Sequence, residues 1–414
     1  MFIKQIERGM AMRRAVLIAV GDELLSGMRQ ERNCAALARE LYKSGWELLA
    51  MEVVRDETPD IVRVLERWVG ASDLLVLSGG LGPTHDDRTR EALAEYLKSP
   101  LRSESALYDR VVARYEGWRQ RTVEGVRDLQ STVPEAARGV YNPVGTALGI
   151  FFERSGTKVW SLPGVPVEFD EMVRQELGEW LRPDEGQTSV VVAGRPELEV
   201  ASELSEVISD ASLHVSILPS FGTVELLIRG APDRVRAAEA LSREKLKDDV
   251  LPEGCRTLQE AVLEAARRRG WTLSCAESCT GGLLGGALTE VPGSSSVFWG
   301  SAVTYSNEAK TRILGVDASL IARYGAVSGE CAGAMARGAR SVYGTDLAVA
   351  VTGVAGPDGG SDDRPVGTVW FALDLQDGMS SAFCRHFSGS RERVRDCSVR
   401  TALLELWRIL TLNF

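Results

Sequence analysis

Asp73-Leu74-Leu75-Val76-Leu77-Ser78-Gly79-Gly80-Leu81-Gly82-Pro83-Thr84-His85-Asp86-Asp87 is the stretch that decides the fold of the first part of the chain. A short apolar run that stops at a Gly-rich turn reads as a buried strand feeding a helix. The same unit recurs on either side of it. Ala15–Val20 reads as a strand ending in Gly21-Asp22-Glu23, and Cys34–Lys43 as a helix with Ala35, Leu37, Ala38 and Leu41 along one side. Glu47–Val54 is a second strand, followed by a helix that Pro59 opens at its first turn. Gly149–Phe152, Val159–Leu162 and a helix from near Pro166 continue the pattern. Repeated βα units of this kind imply an α/β domain with a mostly parallel sheet, here over residues 13–183. Arg182-Pro183-Asp184-Glu185-Gly186 then reads as a linker.

The remaining length fits two further domains. The chain has 414 residues, against a prior of roughly 150 per domain. Residues 188–250 read as a small α+β connector: a β-rich Ser189–Val192, a helix near Leu198–Ile208, a strand Thr223–Arg229 and a helix from Pro232. Residues 253–414 read as a second α/β domain. In it, helix Leu258–Arg269 leads to strand Trp271–Ala276 and the Gly-rich Thr280-Gly281-Gly282. Ser306 is placed to cap a helix running through Lys310 to Leu314, and Ser328 one reaching Val342. Strands Leu347–Thr352 and Thr368–Leu373 and a terminal helix complete it.

Composition bounds the function classes. At 44% hydrophobic and 26% charged the chain is an ordinary globular one, not disordered, collagen-like or coiled-coil. Forty-eight Lys+Arg against 58 Asp+Glu leave a net charge of −10, which argues against capture of nucleic acid or an anionic membrane. Ala15–Val20 is far short of the roughly 20 apolar residues of a membrane span, and Gly21-Asp22-Glu23 cuts it too early for a signal peptide. The seven cysteines are odd in number, scattered and without a CxxC pair, so reduced thiols and a cytoplasmic protein are expected. Met10 and Met12 are alternative starts, and the first dozen residues are expected to be an extension.

Open α/β sheets bind ligands beyond the carboxyl ends of their strands. Two such ends here carry carboxylates: Asp22 and Glu23 after the first strand, Asp86 and Asp87 after the third. Between them Gly79, Gly80 and Gly82 let backbone N–H groups approach a phosphate. Thr84 is expected to cap the following helix, with Asp87 three positions on in a capping-box-like arrangement. Carboxylates repel a bare phosphate, so a divalent cation, Mg²⁺ or similar, is the natural mediator. The plain readings are a Gly-rich turn, acidic residues favouring a helix start, and a solvated turn at Asp22-Glu23.

Gly21-Asp22-Glu23-Leu24-Leu25-Ser26-Gly27, Asn33, Ser78–Thr84, Asp86–Thr89, Asn142–Gly149 and Leu162–Glu168 resemble the molybdopterin-binding fold of the CinA family. The resemblance implies a metal-dependent ADP-ribose pyrophosphatase that gives AMP and ribose 5-phosphate. It places Asp22 and Glu23 in the chemistry, Asp22, Glu23, Asp86 and Asp87 in the metal-ligand pool, and Gly79, Gly80, Gly82, Thr84 and Asn142 on the substrate. Leu148 and Phe169 stand where the family often has Pro and Met.

In the last domain Ala276-Glu277-Ser278-Cys279-Thr280-Gly281-Gly282 puts a serine between a strand end and a helix start, where helix-terminal N–H groups are expected to hold an oxyanion. Of the three histidines, only His386 lies in this domain, in the strand-like run Ser381–Phe387. Without a histidine, a lysine of lowered pKa is the candidate base, and Lys310, with Tyr305 before it, is available. Cys279 is a rival nucleophile, since a helix N-terminus lowers a thiol pKa. The plain readings are Ser278 as a helix cap, Lys310 as a solvated helix lysine and Cys279 as a small buried residue.

Ala276–Gly282, Gly293-Ser294-Ser295, Tyr305–Lys310, Gly325–Ser328, Thr352–Pro357 and Pro365–Val369 are similar to the carboxy-terminal domain of the same family. That similarity implies a nicotinamide-nucleotide amidase with Ser278 and Lys310 as the reacting pair, Tyr305 assisting, and no cofactor. Thr352 and Arg391, with Arg393 as the alternative arginine, fall at substrate positions, beside Gly281 and Gly282 of the turn. Ser301 replaces a common glycine and Arg364 the lysine usual before Pro365. The connector then corresponds to a KH-like domain, but it lacks a Gly-x-x-Gly loop with basic flanks, so no nucleic-acid binding is expected. The expected whole is a bifunctional pyridine-nucleotide hydrolase acting on nicotinamide mononucleotide and ADP-ribose, a homo-oligomer with a dimer favoured. The alternatives are a protein with one live domain, or a non-catalytic nucleotide-binding, partner-recruiting protein linked to competence.

Overall fold

A computed structural model of the chain describes residues 13–115, 130–182 and 186–411. The expected amino-terminal extension and Pro183-Asp184-Glu185 of the expected linker lie outside the described residues. The chain divides into two compact units, Met1–Gln187 and Thr188–Phe414. No helix among the described residues is long and apolar enough to cross a membrane.

The first unit contains strands β1 (Arg14–Val20), β2 (Glu47–Val54), β3 (Leu74–Ser78), β4 (Leu101–Ser103), β5 (Thr132–Pro134), β6 (Arg138–Val140), β7 (Gly149–Arg154) and β8 (Thr157–Leu162). Six of them form one sheet in the order β2-β1-β3-β8-β7-β6. β1 runs parallel to β2 and β3, and β3 parallel to β8, while β7 and β6 close the far edge antiparallel. β4 and β5 make a separate antiparallel pair.

The period of two in β1 builds two cores at once. Ala15, Leu17 and Ala19 pack with Leu37, Leu41, Trp46 and Met172 on one face; Val16, Ile18 and Val20 pack with Ile61, Leu65 and Leu93 on the other. Burial on both faces is what a parallel sheet sandwiched by helices requires. Leu148 and Phe169 are fully buried, so both departures from the family's usual residues fill core space. Pro59 and Pro166 stand in the first turns of helices Thr58–Trp68 and Pro166–Leu177. The parallel half brings the carboxyl ends of β1, β3 and β8 side by side, with the Gly79 N–H donating to Leu162 O at 3.0 Å.

The second unit starts with β9 (Gln187–Ala193), β10 (Leu213–Ser220) and β11 (Thr223–Gly230), paired β10-β11-β9, with helix Pro232–Leu246 packed on them. The expected single helix near Leu198–Ile208 is two short ones, Glu197–Glu203 and Ser205–Ile208, and β10 was not expected. Its sequence, LHVSILPS, includes a proline and is mostly half-buried or exposed, so it lacks the apolar run that marks a core strand.

The larger sheet comprises β12 (Leu273–Glu277), β13 (Phe298–Val303), β14 (Leu347–Gly353), β15 (Thr368–Leu375) and β16 (Ser380–His386), in the order β13-β12-β14-β15-β16. β13, β12 and β14 are parallel; β15 and β16 turn antiparallel. Helices Leu258–Arg269 and Arg391–Thr411 cover one face through Leu263, Leu403 and Leu406. Helix Gly329–Tyr343 covers the other with small residues, Ala332, Ala336 and Ala339, over Ala276, Ala348 and Ala350. Val191 and Ala193 of the connector, and Leu251 just after it, join the first of these cores.

Candidate functional site

The nucleophile turn begins where β12 ends. Glu277 is the last residue of the strand and Ser278 the first beyond it, held by its own N–H to Val351 O of β14 at 2.9 Å. From the neighbouring strand end, Ser306 caps helix Asn307–Leu314 by accepting the Ala309 N–H, as the sequence predicts. That helix carries Lys310 inward to 1% exposure. Lys310 Nζ lies 3.1 Å from Ser278 Oγ and donates to Thr304 O at 2.8 Å. No ion pair to Lys310 occurs among the described residues. Burial without a counter-ion holds the Lys310 amine below the usual lysine range, because the interior disfavours the charged form. The two plain readings, a solvated lysine and a capping serine, do not describe this pair.

Cys279 is 4% exposed and burial pushes its thiol up to about 11. A thiol that stays protonated at neutral pH is a poor rival to Ser278. His386 sits exposed on β16.

Three expectations about the surrounding groups are corrected. The helix start after the turn was expected to hold an oxyanion, but the Glu277 carboxylate already occupies it. Glu277 is fully buried and accepts from the N–H groups of Gly282 (2.9 Å), Leu284 (3.1 Å) and Gly285 (2.8 Å). Ser301 adds its hydroxyl at 2.6 Å, so the residue that replaces the family's glycine supports that carboxylate. Gly281 and Gly282 take positive φ, 60° and 96°, and shape the turn. Tyr305 is 62% exposed and its hydroxyl accepts from Arg391 at 2.8 Å rather than meeting Ser278 or Lys310. Thr352 is buried and donates to Ala326 O at 2.8 Å, which ties two loops together.

Arg391, not Arg393, reaches the site: its other amino group donates to Gly356 O at 2.7 Å. One helical turn on, Arg395 donates to Cys279 O at 3.1 Å and Thr280 O at 2.9 Å. The first turns of the terminal helix therefore brace the nucleophile turn, the Tyr305 loop and the Gly356 loop together. Arg364 donates to Tyr324 O at 2.7 Å, at the end of helix Ala318–Tyr324.

In the first unit, Gly79 and Gly80 have φ of 112° and 68°. A Cβ on Gly79 would meet Val20 O at 2.3 Å, and one on Gly80 would meet Thr89 Oγ1 at 2.1 Å. Thr84 is not a helix cap: the helix starts at Thr89. Instead Asp87 folds back and accepts from Gly82 N (2.7 Å), Thr84 N (2.9 Å) and Thr84 Oγ1 (2.5 Å). Buried Arg90 donates to Gly82 O and Leu81 O beneath the loop. Asn142 is fully buried with every polar atom engaged: its amide donates to Ala147 O and Glu168 Oε2, and its oxygen accepts from Val144 N and Gly145 N. It organises its loop rather than presenting itself to a ligand.

Asp22 and Glu23 are exposed at the end of β1, and Asp56, beyond β2, accepts from Asp22 N at 2.9 Å. Partial burial, then the charges of Glu23, Asp22 and Asp87, push the Asp56 carboxyl up. Asp86 points to solvent, its side chain 67% exposed. Among the described residues no three acidic, His or Cys side chains converge into a ready-made metal cage. Hard oxygen donors that repel one another nonetheless fit a divalent cation.

Against that geometry the comparisons with known proteins are decisive. Residues 255–410 match the model of the CinA C-terminal domain, and residues 16–183 that of a "Probable molybdopterin binding domain". The CinA-like protein of Geobacter sulfurreducens is 38% identical over 400 residues, 93% of this chain and 96% of that protein. The chain belongs to the CinA family. The CinA-like protein of Syntrophus aciditrophicus is 35% identical over 415 residues, covering 96% of this chain and 98% of its own. A crystal structure of the competence/damage inducible protein CihA from Agrobacterium tumefaciens is 41% identical, spans 39% of this chain and 98% of its own, and superposes with a TM-score of 0.37.

For this CinA-family chain, sequence reasoning missed Glu277, Arg395, Asp56 and Arg90. Glu277 had a signal, a carboxylate six residues ahead of the helix start at Leu283. Asp56 had one as well, since it lies just past a strand end of the same sheet. Arg395 lies 115 residues from Thr280, and nothing local announces the contact.

Proposed function

We propose that the chain hydrolyses the carboxamide of nicotinamide mononucleotide at the Ser278–Lys310 pair, and that its first domain hydrolyses ADP-ribose to AMP and ribose 5-phosphate. The observation that carries the first activity is a buried, unpaired lysine 3.1 Å from a serine hydroxyl. Lys310, whose amine burial holds below the usual lysine range, takes the Ser278 proton in its neutral form as Oγ attacks the carboxamide carbon. The ammonium so formed returns a proton to the leaving nitrogen, and ammonia departs from the acyl-enzyme. Water then attacks the ester with Lys310 again as base, Ser278 regains its proton, and nicotinic acid mononucleotide leaves.

In the turn, the Cys279 and Thr280 N–H groups meet no oxygen acceptor among the described residues and turn to the Cys279 sulfur, a weak acceptor; these are the donors left for the oxyanion. Arg391, exposed and without a carboxylate partner among the described residues, suits the nucleotide's phosphate, with Tyr305 released from it when phosphate binds. Thr352, Gly281 and Gly282 shape the pocket around it.

In the first domain the N–H groups of Gly79 and Gly82 are spent on Leu162 O and Asp87, which leaves the Gly80 N–H for the pyrophosphate, while Asp22, Glu23 and Asp56 would hold a divalent cation and Asp87 braces the loop. Offsetting the pyrophosphate charge and lowering the pKa of water are what such a cation supplies. The contrast between an assembled Ser–Lys pair and dispersed carboxylates favours one second reading, an amidase whose first domain is only a nucleotide-binding scaffold.

Incubation of the purified protein with nicotinamide mononucleotide in EDTA should yield nicotinic acid mononucleotide and matching ammonia, abolished in Ser278→Ala and retained in Cys279→Ala. No ammonia from the unmutated protein would sink the amidase reading. ADP-ribose with added Mg²⁺, read as AMP released, decides between the two readings of the first domain.

A further inference from the structure

Of the five buried side-chain polar atoms left without a hydrogen-bond partner among the described residues, two flank the Ser278–Lys310 pair: Thr280 Oγ1 and Thr304 Oγ1. Both residues are fully buried. A buried hydroxyl without a partner costs stability, and two at one place mark groups that meet their partner in another state of the site. Thr304 is the one that touches the base, through its backbone carbonyl. Its N–H donates to Glu277 O at 2.8 Å and its carbonyl accepts from Lys310 Nζ at 2.8 Å. Thr280 makes no hydrogen bond to Lys310: its carbonyl accepts from Arg395 and from the Leu283 N–H.

Counting protons shows what is missing. A neutral amine has one lone pair and two N–H groups; as ammonium it has three N–H groups and no lone pair. On the Ser–Lys reading, a neutral Lys310 turns its lone pair to the Ser278 hydroxyl 3.1 Å away and gives one N–H to Thr304 O, which leaves one N–H over. Once Lys310 has taken the serine proton, Ser278 Oγ becomes the ether-like oxygen of the tetrahedral adduct and a weak acceptor, and the new ammonium needs another. A carboxylate there would fix the lysine in its charged form and remove the base. A hydroxyl accepts from the ammonium and leaves the neutral amine accessible.

Resting on the Ser–Lys reading above, we propose that the Thr304 hydroxyl is a positioning residue for Lys310, its third hydrogen-bond partner in the protonated state. The other groups that face Lys310 leave that place open. The Cys279 and Cys331 thiols, from the nucleophile turn and from helix Gly329–Tyr343, are both pushed up by burial and stay protonated. Glu277 on β12 is committed to three N–H groups and Ser301. Glu308 and Arg312 on the lysine's own helix are exposed, and Tyr305 is bonded to Arg391.

The test uses the full chain and a fluorophosphonate, which labels an activated serine whatever the natural substrate, with attachment at Ser278 read by mass spectrometry between about pH 5 and pH 10. Wild-type labelling should rise with pH along one limb set by Lys310. Thr304→Val should slow labelling about 10- to 100-fold and move the limb to lower pH by about one unit, because the ammonium loses an acceptor. Thr304→Ser should restore both, and Thr280→Val should leave the limb in place. If the valine variant does not fold, Thr304→Ala gives the same readouts without crowding. An unchanged limb and rate in Thr304→Val, a serine variant as impaired as the valine one, or a limb that moves in Thr280→Val instead would each overturn the assignment. Failure to label wild-type Ser278 at all would remove the Ser–Lys reading itself, and this inference with it.

Discussion

Glu277→Gln is the substitution whose consequences follow most directly from the geometry. The carboxylate accepts four hydrogen bonds, two at each oxygen: Gly282 N and Leu284 N on one, Gly285 N and Ser301 Oγ on the other. A glutamine in the same volume can keep the first pair with its carbonyl oxygen and turn its NH2 toward Ser301, whose oxygen then accepts. The Gly285 N–H is left facing a donor. One buried orphaned N–H costs about 1–3 kcal/mol, and the surviving bonds lose their charge assistance. A total of about 2–4 kcal/mol results. For a unit of this size each kcal/mol is worth about 2–4 °C, so the melting transition of the second unit should fall by about 4–16 °C. Ser301→Gly removes only one of the four donors and should cost about 1 kcal/mol. Because the start of the turn then moves relative to Ser278, kcat for amide hydrolysis should fall by at least about tenfold while KM changes little. Differential scanning calorimetry of the three proteins, with ammonia release measured alongside, provides the check. A Glu277→Gln protein that melts within a degree of wild type would refute the reasoning that this carboxylate holds the turn together.

The other predictions concern single groups. Lys310→Met should abolish ammonia release yet melt within about 1 kcal/mol of wild type at neutral pH, since Lys310 has no ion pair to lose among the described residues and an apolar chain in place of a buried ionisable one is often neutral or stabilising. A lysine whose folded pKa is lowered binds fewer protons folded than unfolded, so wild-type stability rises with pH below the unfolded value near about 10.4. The Met-minus-wild-type melting difference should therefore be most positive near neutrality and shrink as pH approaches that value. Asp56→Asn should raise the melting temperature of the first unit in EDTA at neutral pH. A carboxyl whose folded pKa is raised destabilises when ionised, so this gain should vanish as pH falls below the unfolded value near about 3.9. Added Mg²⁺ should stabilise wild type more than Asp56→Asn. Gly79→Ala combines a φ of 112° with a Cβ 2.3 Å from Val20 O and should destabilise the first unit by more than about 2 kcal/mol, by the same calorimetry.

The elements most legible in the sequence were those with local signals. The Ser306 and Ser328 caps start their helices where the side-chain chemistry predicts, and Leu258–Arg269 follows a Thr257–Glu260 capping box. The apolar runs at Ala15, Leu74 and Leu347 became central strands because burial on both faces leaves no polar alternation to mislead. β10 stayed hidden for the opposite reason: it is half-exposed and carries Pro219. At the site, family motifs singled out Ser278 and Lys310, and the fold brings them together. The direction of each polar group was not legible. Asp87 and Thr84 form the expected kind of pair, but the carboxylate serves the glycine loop instead of a helix start. Glu277 takes the helix start that was expected to hold the oxyanion, since a buried carboxylate is a strong acceptor for N–H donors. Tyr305 turns to a guanidinium brought in from the terminal helix, 86 residues away.

The central claim is that Ser278 forms a covalent acyl intermediate with Lys310 as its base. Rapid acid quench of the wild-type protein turning over nicotinamide mononucleotide, followed by peptide mass spectrometry, tests it most directly. The account predicts an acid-stable, base-labile ester on Ser278 that carries the pyridine acyl nucleotide, absent from both Ser278→Ala and Lys310→Met. An adduct on Cys279, or steady ammonia release with no adduct on Ser278 at any quench time, would contradict it.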